Sequence, residues 1–280
     1  MRRKLVAAFL ALAAGLALPG AVRGEGRIPV DLELVLAVDI SGSIDAEEAR
    51  LQRDGYVRAL TSKEVLDVIR NGVLGGIGIT YLEWASYPDR RLVADWTLVK
   101  DEADARALAG RLAAAPLSPG RRTSITGAIE FAMAVLDASP FEGTRRVIDI
   151  SGDGPNNEGG LVTAARDLAL ARGYVINGLP IINDRRSPWG MPNMENLDLY
   201  YEDCVIGGPG AFVVVAESFD TFAEAVKRKL ILEIAALPPA ATRFAHSPER
   251  LLRPAQGRAR PPCDAGERQL RRWSTDRWQQ

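Results

Sequence analysis

The chain has 280 residues, a formal net charge of −1 and an ordinary globular composition, with 47% hydrophobic and 25% charged residues. This length is enough for one large α/β domain with a sizeable core. The near-zero net charge conceals an asymmetry, because residues 236–280 hold nine arginines and only four acidic residues, which leaves the rest of the chain acidic. An acidic body argues against nucleic-acid binding by the folded domain.

The first 24 residues are predicted to be a secretory signal peptide. Arg2, Arg3 and Lys4 form a basic segment, residues 5–18 are apolar, and small or turn-forming residues follow. The apolar run is too short for a stable membrane span, although an uncleaved N-terminal anchor is the alternative. No later segment is long and apolar enough to span a bilayer. The sequence therefore predicts an exported protein, periplasmic or extracellular.

Strand and helix patterns alternate from residue 32 to residue 234, which predicts an α/β fold with a doubly wound, mostly parallel sheet flanked by helices. The first strand, residues 32–38, is a continuous apolar run typical of a strand buried on both faces. The strands predicted at 76–84 and 91–98 form one antiparallel edge hairpin. Further strands are predicted at 146–150, 174–182 and 211–216. Helices are predicted at residues 45–60, with a second helical piece to about residue 70, and at 101–115. Another helix follows Thr123 and ends near residue 138, and the last two are at 158–172 and 219–234.

These elements predict one domain over residues 25–236. Residues 237–280 are rich in proline and arginine and poor in aliphatic clusters, which is typical of a disordered tail. Such a basic tail either docks on an anionic surface or is a solvated spacer. Cys204 and Cys263 could pair in an oxidising compartment and link the tail to the domain, and two unrelated thiols are the alternative.

The most informative motif is Asp39-Ile-Ser41-Gly-Ser43, which directly follows the first buried strand. Ligands bind at the carboxyl ends of the strands in open α/β sheets, so the motif delivers one carboxylate and two hydroxyls to a binding edge. All three side chains are oxygen donors, which suits a hard cation such as Mg²⁺.

Two further loops add oxygen donors near the same sheet edge. One contains Thr123, with Ser124 and Thr126 close behind, and it opens a helix through Gly-Ala. The other contains Asp153, directly after the strand at 146–150. The spacing to Gly-Ala favours Thr123 over Thr126 as the donor. The simpler interpretation is that these residues only cap helices and shape turns.

Together, the three loops resemble the metal-ion-dependent adhesion site of von Willebrand factor A domains, the family that includes integrin inserted domains. The resemblance implies that Ser41, Ser43 and Thr123 bind Mg²⁺ or Mn²⁺ through their hydroxyls. It implies that Asp39 and Asp153 bind the ion directly or through water. An open coordination position would then accept a carboxylate from a protein or peptide partner. Ser-Gly-Asp153-Gly differs from the Thr-Asp-Gly of many relatives, but it keeps the carboxylate.

The resemblance covers residues 30–235. It is closer still to a group of secreted bacterial proteins of this fold whose function is uncharacterised. The stretches that carry this second resemblance are 81–84, 150–157, 176–180 and 204–212. It supports the fold and export, and it adds no known activity.

Catalysis by common side-chain arrangements is not expected, because the only histidine, His246, lies in the tail. A Ser-His-Asp triad, a Cys-His pair and a histidine-ligated zinc site in the folded body are thereby excluded. The predicted function is a metal-dependent binding module. A metal-assisted hydrolase, in which Asp39 helps to activate water, and a scaffold with an unoccupied site are the alternatives. The insertion at 183–203 is expected to lie near the metal edge and to set ligand choice.

Overall fold

The computed structural model describes residues 26–182, 193–219, 221–235 and 258–277. The whole of the predicted signal peptide, residues 1–24, lies outside these ranges, and so do residues 183–192 of the predicted insertion. His246 is also outside them. No helix in the described ranges is long and apolar enough to cross a membrane.

A five-stranded sheet forms the centre of the fold and confirms the predicted α/β class. The strands of the chain are β1 (Ile28–Val30), β2 (Leu32–Asp39), β3 (Ile77–Trp84), β4 (Arg90–Val99), β5 (Phe141–Gly143), β6 (Arg146–Gly152) and β7 (Val175–Pro180). The sheet has the order β4-β3-β2-β6-β7, and only the edge pair β3-β4 is antiparallel. The short strands β1 and β5 form a separate parallel pair that the sequence did not predict.

Helices cover both faces of this sheet. They are α1 (Ala46–Leu60), α2 (Lys63–Arg70), α3 (Glu102–Ala114), α4 (Ile125–Asp137), α5 (Val162–Ala171), α6 (Leu197–Tyr200), α7 (Phe222–Ile234) and α8 (Ala265–Arg277). A π-helical turn, Tyr201–Val205, continues α6. Helix α1 begins at the predicted N-cap, where the Asp45 carboxylate accepts hydrogen bonds from the backbone of Glu47 and Glu48.

The central strand β2 separates two hydrophobic clusters, because successive side chains of a strand point to opposite faces. Leu34 and Leu36 belong to the cluster that includes residues of α1, α2, α3 and α7. Val35 and Ala37 belong to the cluster that includes residues of α4 and α5. Burial on both faces explains why residues 34–38 of β2 are all apolar, with the buried Glu33 the one charged residue of the strand before Asp39.

Two elements differ from their predicted extent. The predicted strand at 211–216 makes only isolated bridges to the β7 region, through Val213 and Ala216. The amide of Phe212 donates instead to the Asn177 side chain (3.1 Å). Helix α5 begins at Val162 rather than at residue 158, because the two glycines before it, at positions 159 and 160, have positive φ angles of 91° and 99°.

A buried ion cluster connects α7 to β6. Lys229 Nζ lies 2.6 Å from Asp149 Oδ1 and 2.5 Å from Glu233 Oε1, and all three side chains are buried. The side-chain amide of Asn177 also donates, through Nδ2, to Glu233 Oε1 (2.9 Å). One lysine therefore neutralises part of the charge of two buried carboxylates.

Residues 258–277, assigned to a disordered tail from composition, form an ordered segment that ends in α8. A disulfide joins Cys204, in the π-helical turn, to Cys263, just before α8. Arg258 pairs with Asp198. These attachments are contributed by residues about 60 positions away, so the local composition of the tail does not reveal them. The rest of the predicted tail, residues 237–257 and 278–280, lies outside the described residues.

Candidate metal centre

The sheet topology brings the first and third sequence motifs to one edge. Strands β2 and β6 are adjacent and parallel, with Val38 opposite Ser151. Asp39 is the last residue of β2, and Asp153 follows the last residue of β6. The two carboxylates therefore emerge side by side at the carboxyl ends of neighbouring strands, where open α/β sheets bind ligands.

Backbone hydrogen bonds place the second motif against the same edge. The amide of Gly120 donates to the carbonyl of Ile40 (2.8 Å), and the amide of Ser124 donates to the carbonyl of Ala85 (2.8 Å). Ser124 is also the N-cap of α4, and its hydroxyl accepts from the Gly127 amide (3.1 Å). The start of α4 is thus fixed beside the end of β2.

The structure brings all five predicted metal-binding side chains together. Ser43 Oγ donates to Asp153 Oδ1 (2.5 Å) and lies 3.2 Å from Ser41 Oγ. Thr123 Oγ1 lies 3.4 Å from Ser41 Oγ. The amide of Ser41 donates to Asp39 Oδ1 (2.7 Å), which fixes the orientation of this carboxylate. Two carboxylates and three hydroxyls therefore form one continuous cluster of oxygen donors.

The alternative donor, Thr126, is used elsewhere. Its hydroxyl donates to the carbonyl of Gly160 (3.0 Å), and its amide donates to Asn156 Oδ1 (3.0 Å). Thr123, in contrast, directs its hydroxyl toward Ser41. The geometry is consistent with the choice of Thr123 over Thr126.

Two asparagines, for which the sequence predicted no role, hold the loop of Thr123 and the loop of Asp153 together. Asn157 Oδ1 accepts from the Thr123 amide (3.1 Å), and the Asn157 amide donates to the Thr123 carbonyl (2.8 Å). Asn156 is buried, and its side chain accepts from the Thr126 amide and donates to the Gly160 carbonyl (2.8 Å). Their sequence signal was an Asn-Asn pair after Asp153-Gly-Pro, which by itself indicates only a turn.

Electrostatics at this edge favour a bound cation. Asp39 is completely buried, and its Oδ2 atom has no hydrogen-bond partner among the described residues. Burial, together with the nearby charge of Asp153, raises the pKa of Asp39 well above its usual value. A divalent cation would compensate both carboxylates and provide the missing partner for Oδ2, so the residues present fit such an ion.

The donor set is typical of a hard cation. In the described ranges, no group of three or more His, Cys, Asp or Glu residues is positioned to hold a metal ion. A cation at this edge would therefore depend on the hydroxyls of Ser41, Ser43 and Thr123 as well as on the two carboxylates. Hydroxyl and carboxylate oxygens are the ligands that Mg²⁺ and Mn²⁺ prefer.

Gly152 leaves room for the Asp39 carboxylate. A Cβ atom at position 152 would lie 2.7 Å from Asp39 Oδ2 and 3.0 Å from the Tyr201 hydroxyl. Tyr201 is buried, and its hydroxyl likewise has no hydrogen-bond partner among the residues that the structure describes. The π-helical turn therefore lies close to the candidate site. Because Gly152 has no side chain, it permits this approach.

Residues 29–238 match the model of the DUF1194 family, which is described as a protein of unknown function. The chain belongs to this family. A search of curated proteins found no match to the DUF1194 chain.

Solved structures with the von Willebrand factor A fold resemble this DUF1194 chain. A von Willebrand factor type A protein from Catenulispora acidiphila is 13% identical, with a TM-score of 0.53 over 74% of this chain and 43% of that chain. The pilus adhesin SpaC from Lactobacillus rhamnosus GG is 15% identical, with a TM-score of 0.53 over 75% of this chain and 31% of that chain.

A third structure, proximal thread matrix protein 1 from the mussel byssus with a zinc-occupied MIDAS motif, is 17% identical. Its TM-score is 0.50 over 73% of this chain and 46% of that chain. Identities this low show a shared fold alone, so the DUF1194 chain has the von Willebrand factor A fold. It spans less than half the length of each of these three proteins.

A pocket that opens to solvent lies beside the oxygen cluster of the DUF1194 chain, and its volume is about 430 Å³ when the open mouth is included. Ser43, Thr123 and Asp153 line it on the side of the sheet. Asn193 and Met194 also line it, which places the described part of the predicted insertion next to the candidate site. The remaining wall includes three residues of α8, namely Gly266, Gln269 and Leu270.

Proposed function

We propose that this chain is an exported binding module that uses Mg²⁺ or Mn²⁺ to capture a carboxylate of a protein or peptide partner. The cation would be held by Asp39, Ser41, Ser43, Thr123 and Asp153. The observation that carries the proposal is the convergence of two carboxylates and three hydroxyls at one sheet edge, with a buried carboxylate oxygen that lacks a partner.

The residues of the cluster have complementary roles. Asp39 and Asp153 supply two negative charges, which balance a divalent ion. Ser41, Ser43 and Thr123 supply oxygen lone pairs without adding charge. When bound, the cation offers Lewis acidity at a coordination position that the protein leaves open, which suits an outside carboxylate. The Ser41 amide keeps Asp39 in place in the absence of the partner.

Comparison with known structures supports binding rather than catalysis. One protein of this fold is described as a pilus adhesin, and another is a byssus matrix protein whose MIDAS motif holds zinc. The DUF1194 chain has a single histidine, His246, which lies outside the described residues. The signal-peptide pattern of residues 1–24 supports the proposed export, which agrees with a role in recognising an external partner.

The first test is metal binding by the exported chain, residues 25–280. Mn²⁺ binding is measured by electron paramagnetic resonance, and thermal unfolding is compared in chelator and in millimolar Mg²⁺, Mn²⁺ or Ca²⁺. We expect Mg²⁺ or Mn²⁺ to raise the melting temperature by several degrees, because a ligand that binds only the folded state stabilises it.

Charge-removing variants identify the residues responsible. Asp39→Asn and Asp153→Asn should abolish the metal-dependent rise, whereas Asp67→Asn, which removes an exposed carboxylate on α2, should retain it. If the unmodified chain binds no Mn²⁺ at millimolar concentration, the proposal is wrong and the fold is a scaffold with an unoccupied site. A chelator-sensitive turnover of esters or phosphoesters would instead favour the hydrolase.

A further inference from the structure

We infer that α8 is a wall of the ligand pocket and that it restricts the partner to a carboxylate on an extended peptide. The inference rests on the proposed function of the oxygen cluster and extends it to the kind of partner. The family match ends at residue 238, so α8 lies outside the part of the chain that the family model covers.

The segment before α8 is attached to the domain by covalent and ionic links. The disulfide joins Cys263 to Cys204. Arg258 donates through both terminal nitrogens to the Asp198 carboxylate, and Arg260 pairs with Asp203. A bidentate arginine–carboxylate pair fixes orientation as well as distance. All of these partners lie in or next to α6 and the π-helical turn, so the segment has one defined attachment surface.

The start of α8 also contacts the loop that follows Asp153. Asn156 Nδ2 donates to Glu267 Oε1 (2.7 Å). Gly266 is buried, and a Cβ atom there would lie 2.0 Å from the carbonyl oxygen of Asn156. The backbone of α8 therefore packs directly on the loop that also fixes Thr123 and Thr126. Helix and candidate metal centre share one supporting residue, Asn156.

The pocket-lining residues of α8 lie on one face of the helix. Gly266, Gln269 and Leu270 are three and four positions apart, which places them on the same side. Arg271 and Arg272 are exposed. The wall therefore presents an amide and an aliphatic group beside the oxygen cluster, while basic residues face solvent.

This wall fits one protruding acidic chain better than a flat protein surface. The pocket has the oxygen cluster on one side and α8 on the other, so a group that reaches the cluster lies beside the helix. The carboxylate of a glutamate or of a chain end would reach the cation, and its aliphatic stem would contact Leu270 and Met194. An acidic group on the surface of a folded partner would meet α8 before it met the cluster.

The test compares Leu270→Trp with Arg271→Trp, two substitutions of equal bulk at adjacent positions. The Mn²⁺-loaded chain is titrated with the blocked peptide Gly-Gly-Glu-Gly-Gly, which is the probe. Binding is monitored through the change in water-proton relaxation caused by the bound Mn²⁺. We expect Leu270→Trp to weaken peptide binding at least tenfold with Mn²⁺ affinity unchanged, and Arg271→Trp to leave both unchanged. Equal peptide affinities in the two variants would overturn the inference.

The partner class is tested with the same glutamate on a rigid support. The pentapeptide is compared with a small folded carrier domain that displays glutamate on a helix surface. Binding of the carrier should be at least tenfold weaker than binding of the peptide. Equal binding would show that α8 sets no such limit and that a folded protein surface is an acceptable partner.

A third measurement does not depend on metal, so it separates this inference from the proposed function. Gly266→Ala inserts a Cβ atom against Asn156, whereas Gly110→Ala inserts one in α3 where no atom lies within 4 Å. We expect amide hydrogen exchange in α8 to be at least tenfold faster in Gly266→Ala than in Gly110→Ala. Identical exchange rates in the two variants would show that α8 does not pack on the loop of Asn156, and the inference would fail even if the chain binds Mn²⁺. If the unmodified chain binds no Mn²⁺, the proposed function fails, and the partner inference fails with it.

Discussion

The hydroxyl of Ser43 donates a 2.5 Å hydrogen bond to Asp153 Oδ1, which joins two residues 110 positions apart. The contact exists because β2 and β6 are parallel neighbours whose carboxyl ends lie at the same edge. A serine that follows β2 and an aspartate that follows β6 are thus parts of one cluster. The rigidity of the sheet holds them together before any ligand arrives.

Thr123→Val should weaken Mn²⁺ binding at least tenfold, because valine keeps the shape of threonine and removes the hydroxyl beside Ser41. The matched variant is Thr126→Val, whose hydroxyl is bonded to the Gly160 carbonyl instead. It should lower the free energy of unfolding by about 1 kcal/mol through the lost hydrogen bond. Paramagnetic resonance titration and denaturant unfolding of both variants provide the comparison. Equal Mn²⁺ affinities would remove Thr123 from the site.

Gly152→Ala should abolish metal binding and destabilise the fold by about 1–3 kcal/mol, because the new Cβ atom would be 2.7 Å from Asp39 Oδ2. The control is again Gly110→Ala, which should be neutral or stabilising by up to about 1 kcal/mol, since alanine favours a helix. Thermal unfolding in chelator and in Mn²⁺ gives both quantities. Retention of a normal metal-dependent rise in Gly152→Ala would contradict the close approach of Asp39.

Lys229→Met should lower the free energy of unfolding by about 3–5 kcal/mol, because it leaves Asp149 and Glu233 buried without their counter-charge. Lys227→Met on the same helix removes only ion pairs with exposed acidic residues, and it should change the free energy of unfolding far less. Urea unfolding of the two variants measures the difference. Similar midpoints would mean that the buried cluster contributes little.

The chain purified without a reductant should contain no free thiol until it is reduced, since Cys204 and Cys263 form a disulfide. Thiol titration under denaturing conditions, with and without prior reduction, checks this directly. The bond closes a loop across 59 positions, so its removal in Cys204→Ser with Cys263→Ser should cost about 2–4 kcal/mol of stability. Two reactive thiols in the unreduced protein would show that Cys204 and Cys263 do not form a disulfide.

Periodicity was sufficient to predict the sheet, its edge hairpin and most helix positions. The continuous apolar run before Asp39 indicated a strand buried on both faces, and the capping pattern at Asp45 marked the start of α1. The five oxygen donors could be selected because the three loops that hold them, each beside a predicted strand or helix end, resemble the metal-ion-dependent adhesion site of von Willebrand factor A domains. Their proximity in the structure agrees with this choice, and their binding of metal is a proposal.

The features that the sequence did not predict depend on contacts between distant segments. Asn156 and Asn157 have the local pattern of a turn, and their role arises only when they meet Thr123 and Thr126 across the site. Helix α8 has a polar composition that resembles a disordered tail. The segment that carries it is attached to the domain through the disulfide and through Arg258, whose partners lie about 60 residues earlier in the chain.

The pocket is lined by two parts of the chain that are distant in sequence, and these parts meet where Gly266 packs against Asn156. The oxygen cluster belongs to the sheet, where any change disturbs a buried core. The opposite wall belongs to a short C-terminal segment that could be exchanged without altering a single strand. New binding preferences could therefore evolve, or be engineered, by replacing about 20 residues after position 257 while the five proposed metal ligands stay the same. The graft would keep the contacts that attach the segment, namely the disulfide to Cys204, the pairing of Arg258 with Asp198 and the glycine at position 266.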